Sequence, residues 1–232
     1  MEPVVIRKFL PRDRSKVRNI AWNTAFMGNS AAAFFEDEEF LSELLTGYFT
    51  DFEPESCFVA ESGNEVVGYL LGCRDSRILD RVSAVSLAPR LLKELIARNI
   101  LFHAKNLRFG WNMLKSLLLG ELAAPDFSAE YPATLHINIQ EGFRHSGTGS
   151  RLMAAYLAYL KEYNVKGVRL ATYSPAAGEF FHKNGFALLF SKRRTYFRNI
   201  IDSEVNVFIY AKKLGDASMV LPKQNHRSVP RF

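Results

Sequence analysis

The segment 141-EGFRHSGTGSRLMAAYLAYLKEY-163 decides how the rest of the chain is read. It follows an alternating apolar run, 135-LHINI-139, and sets Gly147 and Gly149 at the threshold of a helical pattern. Leu152, Met153, Tyr156, Leu157 and Leu160 recur at helical spacing, so a helix is expected to begin near Gly149 or Ser150 and to lay one apolar face on a sheet. The first N–H groups of a helix lack intrahelical acceptors and sit at the positive end of its dipole. Glycines there let bare backbone approach a phosphate. Arg144, Thr148 and Ser150 offer side-chain donors beside them. The segment has neither the Gly-Lys-Ser/Thr ending of a Walker loop nor the spacing of a dinucleotide fingerprint.

Working outward, 4-VVIRKF-9 reads as a strand, and 13-DRSKVRNIAWNTAF-26 as a helix capped by Asp13, with Val17, Ile20, Ala21 and Ala25 near one face. An acidic helix is expected over 36-EDEEFLSELLTGYF-49. The runs 56-SCFVAES-62 and 65-EVVGYLLGC-73 flank Gly63-Asn64 as a hairpin. From about 74 to 130 the pattern turns leucine-rich and helical, in 88-APRLLKELIARNILF-102 and 103-HAKNLRFGWNMLKSLLLGEL-122, which marks an insertion. After the glycine segment come a strand, 167-GVRLATY-173, a short helix, 175-PAAGEFFHKN-184, and two strands, 186-FALLF-190 and 205-VNVFIYAKKL-214. This order predicts an α/β (α+β) layer fold, a mixed sheet flanked by helices, forming one domain over 1–215. The tail 216–232 has prolines and no period and is expected to be loose.

The 232 residues are 48% hydrophobic and carry a formal net charge of +6. A basic balance of this size suits a protein that handles a phosphorylated cofactor as well as one that binds nucleic acid. No helix-turn-helix, zinc-finger or base-stacking motif accompanies it, so nucleic acid is not the expected partner. No apolar run is long enough for a membrane span and the first ten residues do not resemble a secretory signal, so a cytoplasmic protein is expected. Cys57 and Cys73 sit in apolar strand-like runs without metal-ligand spacing and read as buried thiols; no metal is expected.

The stretch 135-LHINIQEGFRHSGTGSRLM-153 resembles the acetyl-coenzyme A motif of the GNAT N-acetyltransferase superfamily, in which a strand and short loop lead to Arg/Gln-x-x-Gly-x-Gly/Ala at a helix start; here that element is 144-RHSGTG-149. Downstream, 174-SPAAGEFFHKNGFALL-189 is similar to the family's next helix and turn, Asn-x-x-Ala-x-x-Phe-Tyr-x-x-x-Gly-Phe. The helical insertion before 131-YPATLHINI-139 also resembles bacterial members related to the acetyltransferase-like domain of O-GlcNAcases, some of them catalytically silent.

The resemblance implies acetyl-CoA as co-substrate and an acetyltransferase that passes the acetyl group to a primary amine of a small molecule or protein, by direct attack in a ternary complex. Ile137 and Ile139 match the strand positions whose backbone pairs with pantetheine and polarises the thioester. The pyrophosphate is expected on the N–H groups of Arg144, His145, Ser146, Gly147, Thr148, Gly149 and Ser150. The family's tyrosine acid is replaced by Phe181, expected as a wall of the cofactor cleft, and its asparagine by Ser174, also expected at the cofactor and as the cap of its helix ahead of Pro175. Tyr173 and Tyr196 are the replacement acids considered, His136 the base, and Asn138, on the same strand face, a group that orients substrate. The rival expectation is a silent module that binds coenzyme A or a partner, as a monomer or homodimer. The basic, apolar insertion is expected to cap the host core and wall the acceptor site, with membrane-surface contact as the lesser reading.

Overall fold

The computed structural model describes residues 2–198, 200 and 205–215, so the tail beyond 215 lies outside the described residues. The chain begins with β1 (Val4–Lys8) and α1 (Arg14–Thr24), whose Val17, Ile20 and Ala21 are buried against Cys57, Val59, Tyr69 and Leu71 of the sheet. The periodicity of the sequence therefore gives the buried face correctly. Asp13, expected as the cap of α1, makes no side-chain cap there. Its carboxylate accepts from the Leu10 N–H at 2.8 Å and pairs with Arg7 at 2.6 Å, a charged partner that outcompetes the helix N–H groups. Asp37 does cap α2 (Glu38–Asp51), accepting from the Phe40 N–H at 2.8 Å.

β2 (Phe58–Ser62) and β3 (Glu65–Cys73) form the expected hairpin. β3 is buried from Val66 to Cys73 because α1 covers one face of the sheet and α6 (Thr148–Glu162) the other. β4 (Ala133–Ile139), β5 (Gly167–Thr172), β6 (Ala187–Arg194) and β7 (Val205–Lys213) complete a seven-stranded sheet of order β1-β2-β3-β4-β5-β7-β6. All neighbours are antiparallel except β4 and β5. That parallel pair is joined only at Ala133–Val168 and Thr134–Arg169, after which the strands part. α7 (Ala177–Lys183) connects β5 to β6.

The insertion leaves at Cys73 and returns at Ala133. It contains α4 (Ala88–Ala97) and α5 (Ala104–Leu118), near the two helices expected. It adds α3 (Ser76–Val82), which runs through a π turn, Ser83–Leu87, straight into α4. Asn99, in the left-handed region at φ 54°, ends α4 before its pattern does. The two ends of the insertion are tied together. The fully buried Tyr156 of α6 directs its hydroxyl at the Cys73 and Thr134 carbonyls, 2.9 and 2.8 Å away, and the Ser76 N–H donates to Pro132 O at 2.8 Å. Leu91 and Ile100 are buried with Phe26, Phe34, Phe35, Phe40 and Phe197, so the insertion does cap a core cluster.

A charged knot fastens α4 to the host. Glu43 of α2, buried at 2% exposure, pairs with Arg14 at 2.8 Å and also meets Arg18 and Arg90. Without Glu43 the largely buried Arg18 keeps only Glu39, while the more exposed Arg14 and Arg90 fall back on Asp51, so the cost lies toward the lower end of the about 3–5 kcal/mol of a broken buried pair. Glu43→Ala should lower the unfolding free energy in urea by that order. A loss under about 1 kcal/mol would mark the cluster as a solvated surface pair.

Candidate active site

The parting of β4 from β5 leaves one edge of β4 open beyond Thr134. The Gln140 N–H donates to Val67 O of β3 at 2.9 Å, so in this antiparallel ladder the even-numbered residues of β4 turn their backbone groups toward β3. The odd-numbered Leu135, Ile137 and Ile139 present theirs to the gap. The Ile139 carbonyl accepts from Arg144 Nε at 3.0 Å, and the same guanidinium donates from Nη2 to Gly28 O at 2.8 Å. Arg144, expected as a phosphate donor, is thus committed through its side chain to joining the end of β4 to the loop after α1.

Beyond Arg144 the backbone turns sharply. His145 and Gly147 both lie in the left-handed region, at φ 60° and 80°. The first bond of α6 runs from the Arg151 N–H to Gly147 O at 3.1 Å, so Thr148, Gly149 and Ser150 enter the helix with N–H groups that have no intrahelical acceptor. Ser146 Oγ donates to Phe143 O at 2.7 Å and lies 2.8 Å from Thr148 Oγ1, so these hydroxyls shape the turn. Asn184 reaches Ser150 Oγ at 3.4 Å.

The two glycines have different work. A Cβ on Gly147 would meet no atom within 4 Å, so the space beside it is open to a ligand. A Cβ on Gly149 would meet the Phe180 ring at 3.1 Å and Ile139 Cδ1 at 3.2 Å. At Gly149, then, a bare backbone lets α7 and β4 pack on α6. Phe181, expected beside the cofactor, is 4% exposed and lies in the core with Phe186 and Tyr210, at ring distances of 6.0 and 5.5 Å. Phe180 is the ring that faces the glycine turn. Ser174 does not cap α7, whose N-cap is Ala176; the Ser174 N–H instead bonds to Thr172 Oγ1 at 3.2 Å.

His136, Asn138 and Tyr173 share one face of the sheet across the gap, since Thr134 and Arg169 are register partners and side chains alternate from there. Asn138 Nδ2 donates to the Tyr69 hydroxyl at 2.9 Å and lies 3.2 Å from His136 Nε2, while Tyr69 Oη is 3.4 Å from His136 Nδ1. Tyr69 was not legible as a site residue, because it stands in an unbroken buried run of β3. Desolvation pushes the half-buried His136 down to about pKa 4, so its imidazole is neutral near pH 7. Tyr173 and Tyr196 hydrogen-bond to each other through their hydroxyls. Burial, then the neighbouring Tyr173, raises the Tyr196 pKa. This pair adjoins the insertion: the Tyr196 ring lies 6.1 Å from Phe109, and Asn112 donates to Tyr196 O at 3.2 Å. Burial likewise pushes both cysteine thiols up to about 12, which leaves them inert as nucleophiles.

The family model for the acetyltransferase (GNAT) family matches residues 16–186, most of the chain, and the protein belongs to that family. Among curated proteins none matches it. Among solved structures it is similar to SsHAT, at 22% identity and a TM-score of 0.60, covering 92% of this chain and 99% of that one. It is also similar to a polyamine N-acetyltransferase of Drosophila melanogaster that forms N-acetylagmatine, at 13% identity and a TM-score of 0.58, covering 91% and 100%. Ard1 from Thermoplasma volcanium matches at 20% identity and 0.52, covering 90% and 97%. At these identities the likeness is one of fold. The likeness to O-GlcNAcase domains is not carried by the structures named.

The depressed pKa of His136 makes a signed prediction. The unfolded chain binds this proton near the ordinary value of 6.5 and the folded chain only near 4, so His136 costs stability as pH falls through that window and nothing above it. Urea unfolding of the wild type and His136→Gln should therefore run parallel above about pH 6.5 and converge in favour of the variant toward pH 4. Parallel curves throughout would mean that His136 titrates normally.

Proposed function

We propose that the protein is an acetyl-CoA-dependent N-acetyltransferase acting on a primary amine of a small molecule or protein. The observation that carries this reading is the junction of an open β4 edge with the left-handed Gly147 turn, where the N–H groups of Thr148, Gly149 and Ser150 have no intrahelical acceptor and the space beside Gly147 is open. The N–H groups from His145 to Ser150 would hold the pyrophosphate, as a helix start favours anions. The Ile137 and Ile139 backbone would pair with the pantetheine arm and offer an N–H to the thioester oxygen, which gains negative charge during attack. Bound acetyl-CoA supplies the activated acetyl group. No metal enters this scheme.

On the other side of the sheet, the face that carries His136, Asn138 and Tyr173, bordered by α5 through the contact of Phe109 with Tyr196, would receive the acceptor. His136 is the base of this scheme. Neutral near pH 7, it can take at Nε2, in place of its 3.2 Å contact with Asn138, the proton that the amine nitrogen sheds as it bonds to the thioester carbon, directly or through water, while Tyr69 stays at Nδ1. The paired hydroxyls of Tyr173 and Tyr196 are the donors at hand for the leaving thiolate. Buried, unpaired cysteines support a reducing, cytoplasmic setting.

A second reading, a silent module that binds coenzyme A or a partner, is favoured by Phe181, which stands at the family's acid position and cannot donate a proton.

Acetyl-CoA should raise the melting temperature, as a ligand of the native state must, and Gly147→Val should remove that shift in a folded protein. An undiminished shift in Gly147→Val would overturn the phosphate assignment. With a panel of primary amines, thiol release should be amine-dependent, and His136→Ala should lower kcat by about 100-fold or more with little change in the KM for acetyl-CoA. Binding without turnover on any amine would establish the silent module instead.

A further inference from the structure

α5 is apolar on both faces. Its inward face packs Phe109 and Met113 on the host core beside Asn106 and Ser116, 1% and 0% exposed, and Asn106 accepts from the Glu36 N–H at 2.8 Å and donates to Ile100 O at 3.0 Å. Its outward face carries Leu107, Trp111, Leu114 and Leu118 at helical spacing, each 44–78% exposed. On α4, Leu92 and Ile96 are exposed at 58% and 68%, and in the turn between the helices Phe102 stands 85% exposed. A surface helix ordinarily turns such a stripe inward. A contiguous exposed apolar patch marks a docking surface.

The charges on this surface identify the occupant. From Arg98 to Gly120 there is no aspartate or glutamate, while Arg98, Lys105, Arg108 and Lys115 are present; the one acid of α4, Glu94, faces Arg90 at 3.9 Å. Arg98 and Lys105 turn to Asp37 and Glu36 of the host. Lys115 remains at the outer face with its Nζ 5.5 Å from the Trp111 ring, and the exposed Lys93 stands beside Leu92 on α4. We propose that the insertion docks on the surface of an anionic lipid bilayer, with Phe102, Trp111 and Leu118 entering the boundary between headgroups and acyl chains and Lys93 and Lys115 meeting anionic headgroups. An aromatic and leucine face rimmed by lysine suits that interface. A second copy of the chain fits less well, because an isologous contact would bring two lysine-rimmed faces of the same sign together. The contact is peripheral: among the described residues no helix is long and apolar enough to cross a membrane.

The chain has two tryptophans, so a Trp22→Phe variant reports on Trp111 alone. With phosphatidylcholine vesicles containing about a third phosphatidylglycerol, the full chain should co-float at low salt and much less at high salt, and Trp111 emission should shift to the blue. Pure phosphatidylcholine should bind it more weakly. Trp111→Ser with Leu118→Ser, both exposed sites, should weaken binding by about tenfold or more, and Lys115→Glu by at least about fivefold, with the response to acetyl-CoA unchanged. The proposal is overturned if wild-type chain does not float with anionic vesicles at low salt, or if Trp111 emission is unmoved in vesicle-bound protein. It is also overturned if sedimentation reveals a dimer that Trp111→Ser with Leu118→Ser dissolves, since that assigns the face to a second copy.

Discussion

Backbone hydrogen bonding along β4 is the constraint on which the rest of the structure depends. One edge of the strand is satisfied by β3 over its length, and the other is satisfied by β5 for two residues only. Unpaired strand edges in a protein interior are costly, so they persist where something else completes them. Everything near the edge is arranged around it. α6 and α7 close one side of the sheet, α1 and the insertion stand on the other, and the Gly147 turn closes the end where β4 stops. The neutral cluster of His136, Asn138 and Tyr69 lies on the α1 side of that edge, where a strongly charged side chain would have to be desolvated.

Much of this was legible in the sequence, and the failures are specific. Alternation in 135-LHINI-139 and helical spacing after Gly149 place strand, turn and helix within a residue or two, because both periods are set by which face is buried. The segment Ser76–Leu87 escaped notice because its apolar residues do not hold one face; Ile78 and Val85 are exposed. A glycine in a sequence announces missing bulk but not what fills the space, so Gly147 beside open space and Gly149 beneath Phe180 look alike on paper. Neighbouring aromatics raise the same difficulty: one of Phe180 and Phe181 must face the core, and only the phase of α7 says which. Partners from distant strands, such as Tyr69 with His136, leave no local mark at all.

The insertion follows a different logic from the host. Its attachment relies on polar and charged groups, Glu43 with Arg90, Asn106 with the Glu36 backbone and Asn112 with the Tyr196 and Arg198 carbonyls, in addition to Leu91 and Ile100. Directional bonds fix its orientation on α2 and on the segment after β6. Apolar side chains are thereby left on the outside, where a host domain would normally have used them for its own core.

Arg144 gives the molecule a property that neither side of the cleft has alone. One guanidinium grips the last carbonyl of β4 and the Gly28 carbonyl in the loop after α1, and charge-assisted bonds of this kind contribute about 1.5–3 kcal/mol each. The turn that opens α6 and the loop after α1 are in this way clasped as one mechanical unit. Any displacement of the turn is delivered across the end of the gap without passing through the sheet, so its two sides keep a common register even though the strands between them have come apart.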